Sequence, residues 1–278
     1  MKRGLIAKEI SPEIFDARLA RVRASLKERE LPALLVYTDV WRSNQGRFLT
    51  NFMPYWNHSL IVIPVEGAPV LLCGLSPRVY PWIKSVTILE DIRPASKLTA
   101  SLEQLCAERG WPKLGVLDLP KLPIEIYSGL RGREVVDLPS AGLIEADQAD
   151  FAMRRKALAL ARGVELSDAV GDLERELRRA GAEDLILRVK RREDGAYSVQ
   201  LALEYCGHWV KVTRAIGPED QVAALRERFG AALASTEGYR ENLSGPQPYE
   251  AGTGAIYALH VEHRGLFYGD TCSGSSVL

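Results

Sequence analysis

The chain has 278 residues, 46% of them hydrophobic and 26% charged, an ordinary globular composition with enough length for two cores. Its 36 basic residues balance 36 acidic ones, so no net field recruits nucleic acid or an anionic membrane surface. No window approaches a membrane span, and the opening MKRGLIAKEISPEIF lacks the apolar run of a secretory leader, so a cytoplasmic location is expected.

In chain order, Ser11-Pro12-Glu13 opens a helix: a capping hydroxyl, Pro at the first position and an early acid. Phe15, Leu19, Val22 and Leu26 follow at helical spacing, with Arg18, Arg21, Arg23 and Lys27 on the other faces. After Pro32, the apolar run Ala33 to Thr38 suits a buried strand. Two hydrophobic runs from Leu60 to Gly74 flank Glu66-Gly67-Ala68, which reads as a hairpin. A strand over Ser85 to Glu90, a helix around Ala100 to Arg109 and a strand over Leu114 to Asp118 continue the alternation. These elements predict an α/β unit with a mixed sheet.

The second part begins with two helices, one carrying Phe151, Leu158 and Ala161, the other Val170, Leu173 and Leu177. Strand-like LILRV, YSVQLALEY and HWVKVTRAI follow, then a helix over roughly Glu219 to Ala234. Two strands, AIYALHVEH and GLFYGDTCSG, close the chain across Arg264-Gly265. Helices followed by hairpins indicate α+β with an antiparallel sheet. Cys73, Cys106, Cys206 and Cys272 show no C-x-x-C spacing and read as reduced, mostly buried thiols.

The motifs FDARLARVRASLKERELPALLVYTD, GRFLTNFMPYWNHSLIVIPVEGAPVLLCG, MRRKALALA, EYCGHWVKVTR and GLFYGDT occur in that order along nearly the whole chain. Together they resemble the creatinase, aminopeptidase P and prolidase superfamily. The resemblance implies a creatinase-like amino-terminal α/β domain over 1–142. Beyond it, 143–278 would form an internally shortened α+β pita-bread domain with a curved antiparallel sheet.

The family's chemistry usually rests on two metal ions held by two Asp, one His and two Glu, carboxylates being suited to bridge hard cations. Carried onto this chain, the two Asp positions fall at Gln200 and Lys211, the latter two residues before Thr213-Arg214. The first Glu falls near His260 to Glu262 and the last at Gly269. The element bearing the His is absent from RENLSGPQPYEAGTG. At most one carboxylate of the set survives, so no metal and no cofactor is expected. The family's metal-free branch, creatinase itself, relies on a His in a stretch missing between Asp184 and Gln200, so this chain departs from that pattern too.

His260 and Glu262 share a strand face, with His263 on the other, and a His beside a Glu suits general-base catalysis near neutral pH. A polar strand end is the plainer reading. Lys211 and Arg214 suit an anion on the floor of the former site; alternatively Lys211 pairs with Glu204 across the hairpin or faces water. Trp41, Tyr55, Trp56 and His58 offer aromatic surface for a pocket or an interface, or for ordinary packing. Cys272 and Cys206 read as buried thiols rather than nucleophiles.

Two functions follow as expectations. One is a non-catalytic binding or scaffolding protein that takes a small polar or anionic molecule and self-associates as a homodimer or pairs with a related protein. The other is a metal-independent hydrolase or lyase acting on a C–N bond. Neither involves nucleic acid or membrane.

Overall fold

The computed structural model describes residues 10–54, 57–162, 170–244, 249–250 and 255–278. The chain divides into two compact units, Met1–Ile144 and Glu145–Leu278. Among the described residues, no helix is long and apolar enough to cross a membrane.

The amino-terminal unit is a mixed sheet between two helical layers. Helix α1 (Pro12–Glu28) buries Phe15, Leu19, Val22 and Leu26, the stripe its spacing predicts. Arg18, off that stripe, is buried as well: its guanidinium stacks 3.9 Å from the Phe48 ring centroid and donates to Phe48 O at 2.7 Å. A cation over an aromatic face keeps its charge compensated inside the fold. Strand β1 (Ala33–Thr38) and helix α2 (Asn44–Thr50) lead to the hairpin of β2 (Ser59–Pro64) and β3 (Val70–Cys73). Helix α3 (Tyr80–Val86), β4 (Asp91–Pro94), α4 (Leu98–Arg109), β5 (Lys113–Leu117), α5 (Ile124–Ser128) and β6 (Glu134–Leu138) complete it.

The strand order is β4-β3-β2-β1-β5-β6. The β1/β2 and β2/β3 pairs are antiparallel and the other three parallel. Strand β1 is apolar on both faces because both are covered: Leu34 and Val36 belong to one core, Ala33 and Leu35 to the other.

The strand expected over Ser85 to Glu90 is not there. Its first residues end α3, where Pro81 lies at the helix start and Ile83 and Val86 turn into the core at helical spacing. The ladder is taken up by Asp91–Pro94, paired in parallel with Val70–Cys73. The β-branched run Val86-Thr87-Ile88 carries strand propensity that packing overrides.

The carboxy-terminal unit begins with α6 (Gln148–Arg162) and α7 (Val170–Arg179). Then come β7 (Asp184–Arg191), β8 (Tyr197–Tyr205), β9 (His208–Ile216), α8 (Glu219–Leu233) and β10 (Tyr239–Asn242). The last strands are β11 (Ile256–His263), β12 (Leu266–Ser273) and β13 (Ser276–Val277). The antiparallel sheet runs β10-β11-β12-β9-β8-β7, with β13 beside β12. Tight turns set its registers. Cys206 and Gly207, then Arg264 and Gly265, take left-handed φ of 50° and 79°, and of 50° and 78°, which suits the twist of a two-residue hairpin.

One face of this sheet carries the helices. Leu201, Leu203, Val210 and Val212 pack with Ala157, Leu158 and Ala161 of α6, while Tyr257, Leu259 and Leu266 pack with Leu225 and Phe229 of α8. Strand alternation sends the intervening side chains to the other face, where the candidate site lies.

Candidate functional site

A single row of cross-strand partners runs across the sheet: Arg188, Gln200, Thr213, Gly269, His260 and Tyr239, each opposite the next. These residues come from strands β7, β8, β9, β12, β11 and β10. All six share the face away from the helices, because pairing partners in an antiparallel ladder point the same way. Lys211 lies one step along β9 from Thr213 and Glu241 one step along β10 from Tyr239, on that same face.

This face lines a cavity of about 780 Å³ in which Gln200, Lys211, Thr213, Tyr239, Glu241 and His260 meet. At its centre the Lys211 ammonium is ion-paired to Glu241, with Nζ 2.5 and 2.6 Å from the two carboxylate oxygens. The expected alternative partner, Glu204, stands opposite Trp209 on the hairpin, whereas Lys211 stands opposite Ala202. The lysine is further positioned by its own backbone: its N–H donates to Thr271 Oγ1 at 2.9 Å, and that hydroxyl donates back to Lys211 O at 3.0 Å.

His260 lies across from Gly269, and its Nδ1 is 3.2 Å from Thr213 Oγ1. Its Nε2 is buried with no hydrogen-bond partner among the described protein groups. Burial first, and the nearby Lys211 charge second, push its pKa down from 6.5 to about 4, so the ring is neutral at physiological pH. The general-base pairing expected between His260 and Glu262 does not form. Glu262 lines the same cavity, but it is exposed and accepts the Gly265 N–H at the turn. The cavity's charged side chains are Arg188, Lys190, Lys211 and Arg228 against Glu237, Glu241 and Glu262, four cations to three carboxylates and hence an excess of one positive charge.

Arg214 is not part of this cavity. It shares the strand parity of Val210 and Val212 and so turns to the helical face. There it donates to Gly269 O and to Asp270 Oδ2, both at 2.8 Å, and stacks 4.9 Å from the Tyr268 ring centroid. Buried Asp270 also takes Arg162 at 2.7 Å, so Arg214 is a structural partner rather than a ligand group. His58 belongs to the amino-terminal unit, half-buried and edge-on to Tyr37 with ring centroids 6.2 Å apart. Trp56 and Tyr55 lie outside the described residues. Trp41 is 91% exposed. All four cysteines are buried free thiols, and burial pushes Cys272 up to about 12.

Sequence reasoning missed Glu241. The sequence pattern assigns no element to the stretch after α8, whereas Tyr239–Asn242 is a strand paired with Tyr257–His260. Four residues without an apolar alternation give no strand signal, so only the neighbouring ladder discloses it.

The donor chemistry of this face does not fit a pair of divalent cations. Lys211 brings a fixed positive charge, Gln200 a neutral amide and Gly269 no side chain at all. Nor is there room for one at Gly269, where an added Cβ would come within 2.5 Å of both His260 Nδ1 and Leu259 O. Among the described residues, no three His, Cys, Asp or Glu side chains are placed to hold a metal ion.

Solved structures match this architecture nearly end to end. An X-Pro aminopeptidase from Thermotoga maritima superposes with a TM-score of 0.66 at 12% identity, over 94% of this chain and 97% of that one. An Xaa-Pro dipeptidase from Bacillus anthracis gives 0.63 at 15% identity, over 92% and 93%. A prolidase from Pyrococcus furiosus gives 0.62 at 10%, over 92% and 95%. The fold is the one these X-Pro aminopeptidase, Xaa-Pro dipeptidase and prolidase structures share. A pita-bread unit of this kind accounts for the helices on one sheet face and the cavity on the other. No protein-family model and no curated protein matches the sequence.

Proposed function

We propose that this protein is a metal-independent binding member of the pita-bread fold, and that its carboxy-terminal cavity takes a small polar anion. The observation that carries this reading is the Lys211–Glu241 ion pair beside His260. In solved neighbours of the same fold the activities named are those of Xaa-Pro peptidases; here the positions to which the sequence resemblance assigns metal ligands, Lys211, Gln200 and Gly269, bring an ammonium, an amide and no side chain. A cavity with one excess positive charge favours an anion. The Nε2 of His260 is a buried polar atom with no partner among the described protein groups, a state that costs roughly 1–3 kcal/mol.

Calorimetric titration with inorganic phosphate and with short mono- and dicarboxylates tests this. Binding of one of these classes is expected, weakened at least tenfold in Lys211→Met. Hydrolysis of Xaa-Pro peptides on addition of manganese would overturn it.

One observation favours a second reading, a metal-independent hydrolase or lyase at a C–N bond. The Thr213 hydroxyl at 3.2 Å from His260 Nδ1 has the spacing of a nucleophile and its base. Against it stand the burial of Thr213 and the low basicity of His260. Turnover of a small amide that disappears in both Thr213→Val and His260→Gln would select this reading.

A further inference from the structure

The cavity's excess of positive charge is not spread evenly: two cross-strand pairs on its β7–β8 wall carry it. Arg188 stands opposite Gln200, and Lys190, two residues along, stands opposite Ser198. All four line the cavity. Partners across a ladder sit about 5 Å apart, and successive residues on one face about 7 Å apart. A guanidinium, an ammonium, an amide and a hydroxyl thus share one patch the size of a single tetrahedral oxyanion. No carboxylate stands in it.

The other two cations of the cavity are engaged. Glu241 takes Lys211, and Arg228 meets His263 Nδ1 at 3.4 Å. Arg188 and Lys190 have no acid partner among the described residues. Lys190 Nζ lies instead 4.2 Å from the Phe267 ring centroid, which holds the ammonium over the cavity without neutralising it. Buried Ser198 accepts the Phe267 N–H at 2.7 Å through its oxygen, so its own O–H remains a donor. Exposed cations on an edge strand also discourage strand pairing, but that role does not require a neutral donor opposite each.

Resting on the anion-binding reading of the cavity, we infer that this wall is its oxyanion subsite and that the ligand is a small phosphate monoester. The phosphate sits on Arg188, Lys190, Ser198 and Gln200. Arg188 supplies a bidentate fork, Lys190 a point charge and the two β8 side chains neutral donors. That set matches the three terminal oxygens of a phosphate dianion better than the two of a carboxylate. Gln200 is also opposite Thr213, so the esterified body lies over Thr213, toward Lys211 and His260.

Calorimetric titration of the full chain at low salt with glycerol 3-phosphate, inorganic phosphate and succinate tests this. The ester should bind most tightly, and succinate roughly tenfold more weakly than the ester. Arg188→Gln and Lys190→Gln should each weaken both phosphates by roughly tenfold or more, whereas Lys190→Arg should stay within about threefold of wild type. Thermal midpoints should not move, because both side chains are exposed on an edge strand. A wild type that binds none of the three overturns the cavity reading and the subsite together. Anion binding that Lys211→Met weakens but neither Arg188→Gln nor Lys190→Gln alters overturns the subsite alone and leaves the cavity reading standing. Succinate or inorganic phosphate binding more tightly than the ester likewise overturns the phosphate monoester.

Discussion

At the scale of single residues, the cavity is governed by one lysine and one histidine. His260 has a pKa lowered from 6.5 to about 4, by burial first and by Lys211 second. The unfolded chain therefore binds a proton at this residue more readily than the folded one. Stability from this residue is complete above pH 6.5 and drains away as the pH falls toward 4, by about 3 kcal/mol in all. Urea unfolding between pH 4 and 7 should show that acid slope in the wild type and a flatter one in His260→Gln; identical slopes would contradict it. The neighbours tune the same group in opposite directions. Lys211→Met should raise the His260 pKa and Glu241→Gln should lower it, read by NMR titration of the ring. Of this arrangement, His260, Glu262 and Lys211 were legible as polar residues on strands of one hairpin-rich sheet. Glu241 was not, because Lys211 and its partner lie 30 residues apart and meet only through the ladder. Arg214 was misplaced because adjacency to Thr213 in sequence means opposite faces in a strand.

Among the elements, the β11–β12 hairpin holds the cavity's shape. Gly269 faces His260 directly, and the imidazole occupies the space a side chain would need. Gly269→Ala should destabilise by about 1–3 kcal/mol, since the new methyl meets both a ring and the fixed carbonyl of Leu259. Amide exchange in Tyr257 to Cys272 should accelerate along with the drop in stability; an unaltered midpoint would show that the strands separate freely. Glu at this position should be worse still, so a carboxylate cannot be restored there by one substitution. The long strands were readable from alternation and their turns from Cys206-Gly207 and Arg264-Gly265. What failed were the short elements: α3, where a β-branched run ends a helix, and β10, which carries no apolar period.

For the whole molecule, the likeness to peptidase structures holds at 10–15% identity. A fold survives such divergence because buried alternation and turn chemistry specify the sheets, while the polar residues of the cavity are replaced without loss of the frame. Here the frame carries a lysine and a neutral histidine on the cavity face of the carboxy-terminal sheet. The most direct test of a metal-independent cavity is elemental analysis of the full chain after dialysis with manganese, cobalt and zinc followed by removal of unbound metal. Far less than one equivalent of any metal is expected, in the wild type and in Lys211→Met alike. Two retained equivalents per chain, lost on His260→Gln, would contradict it.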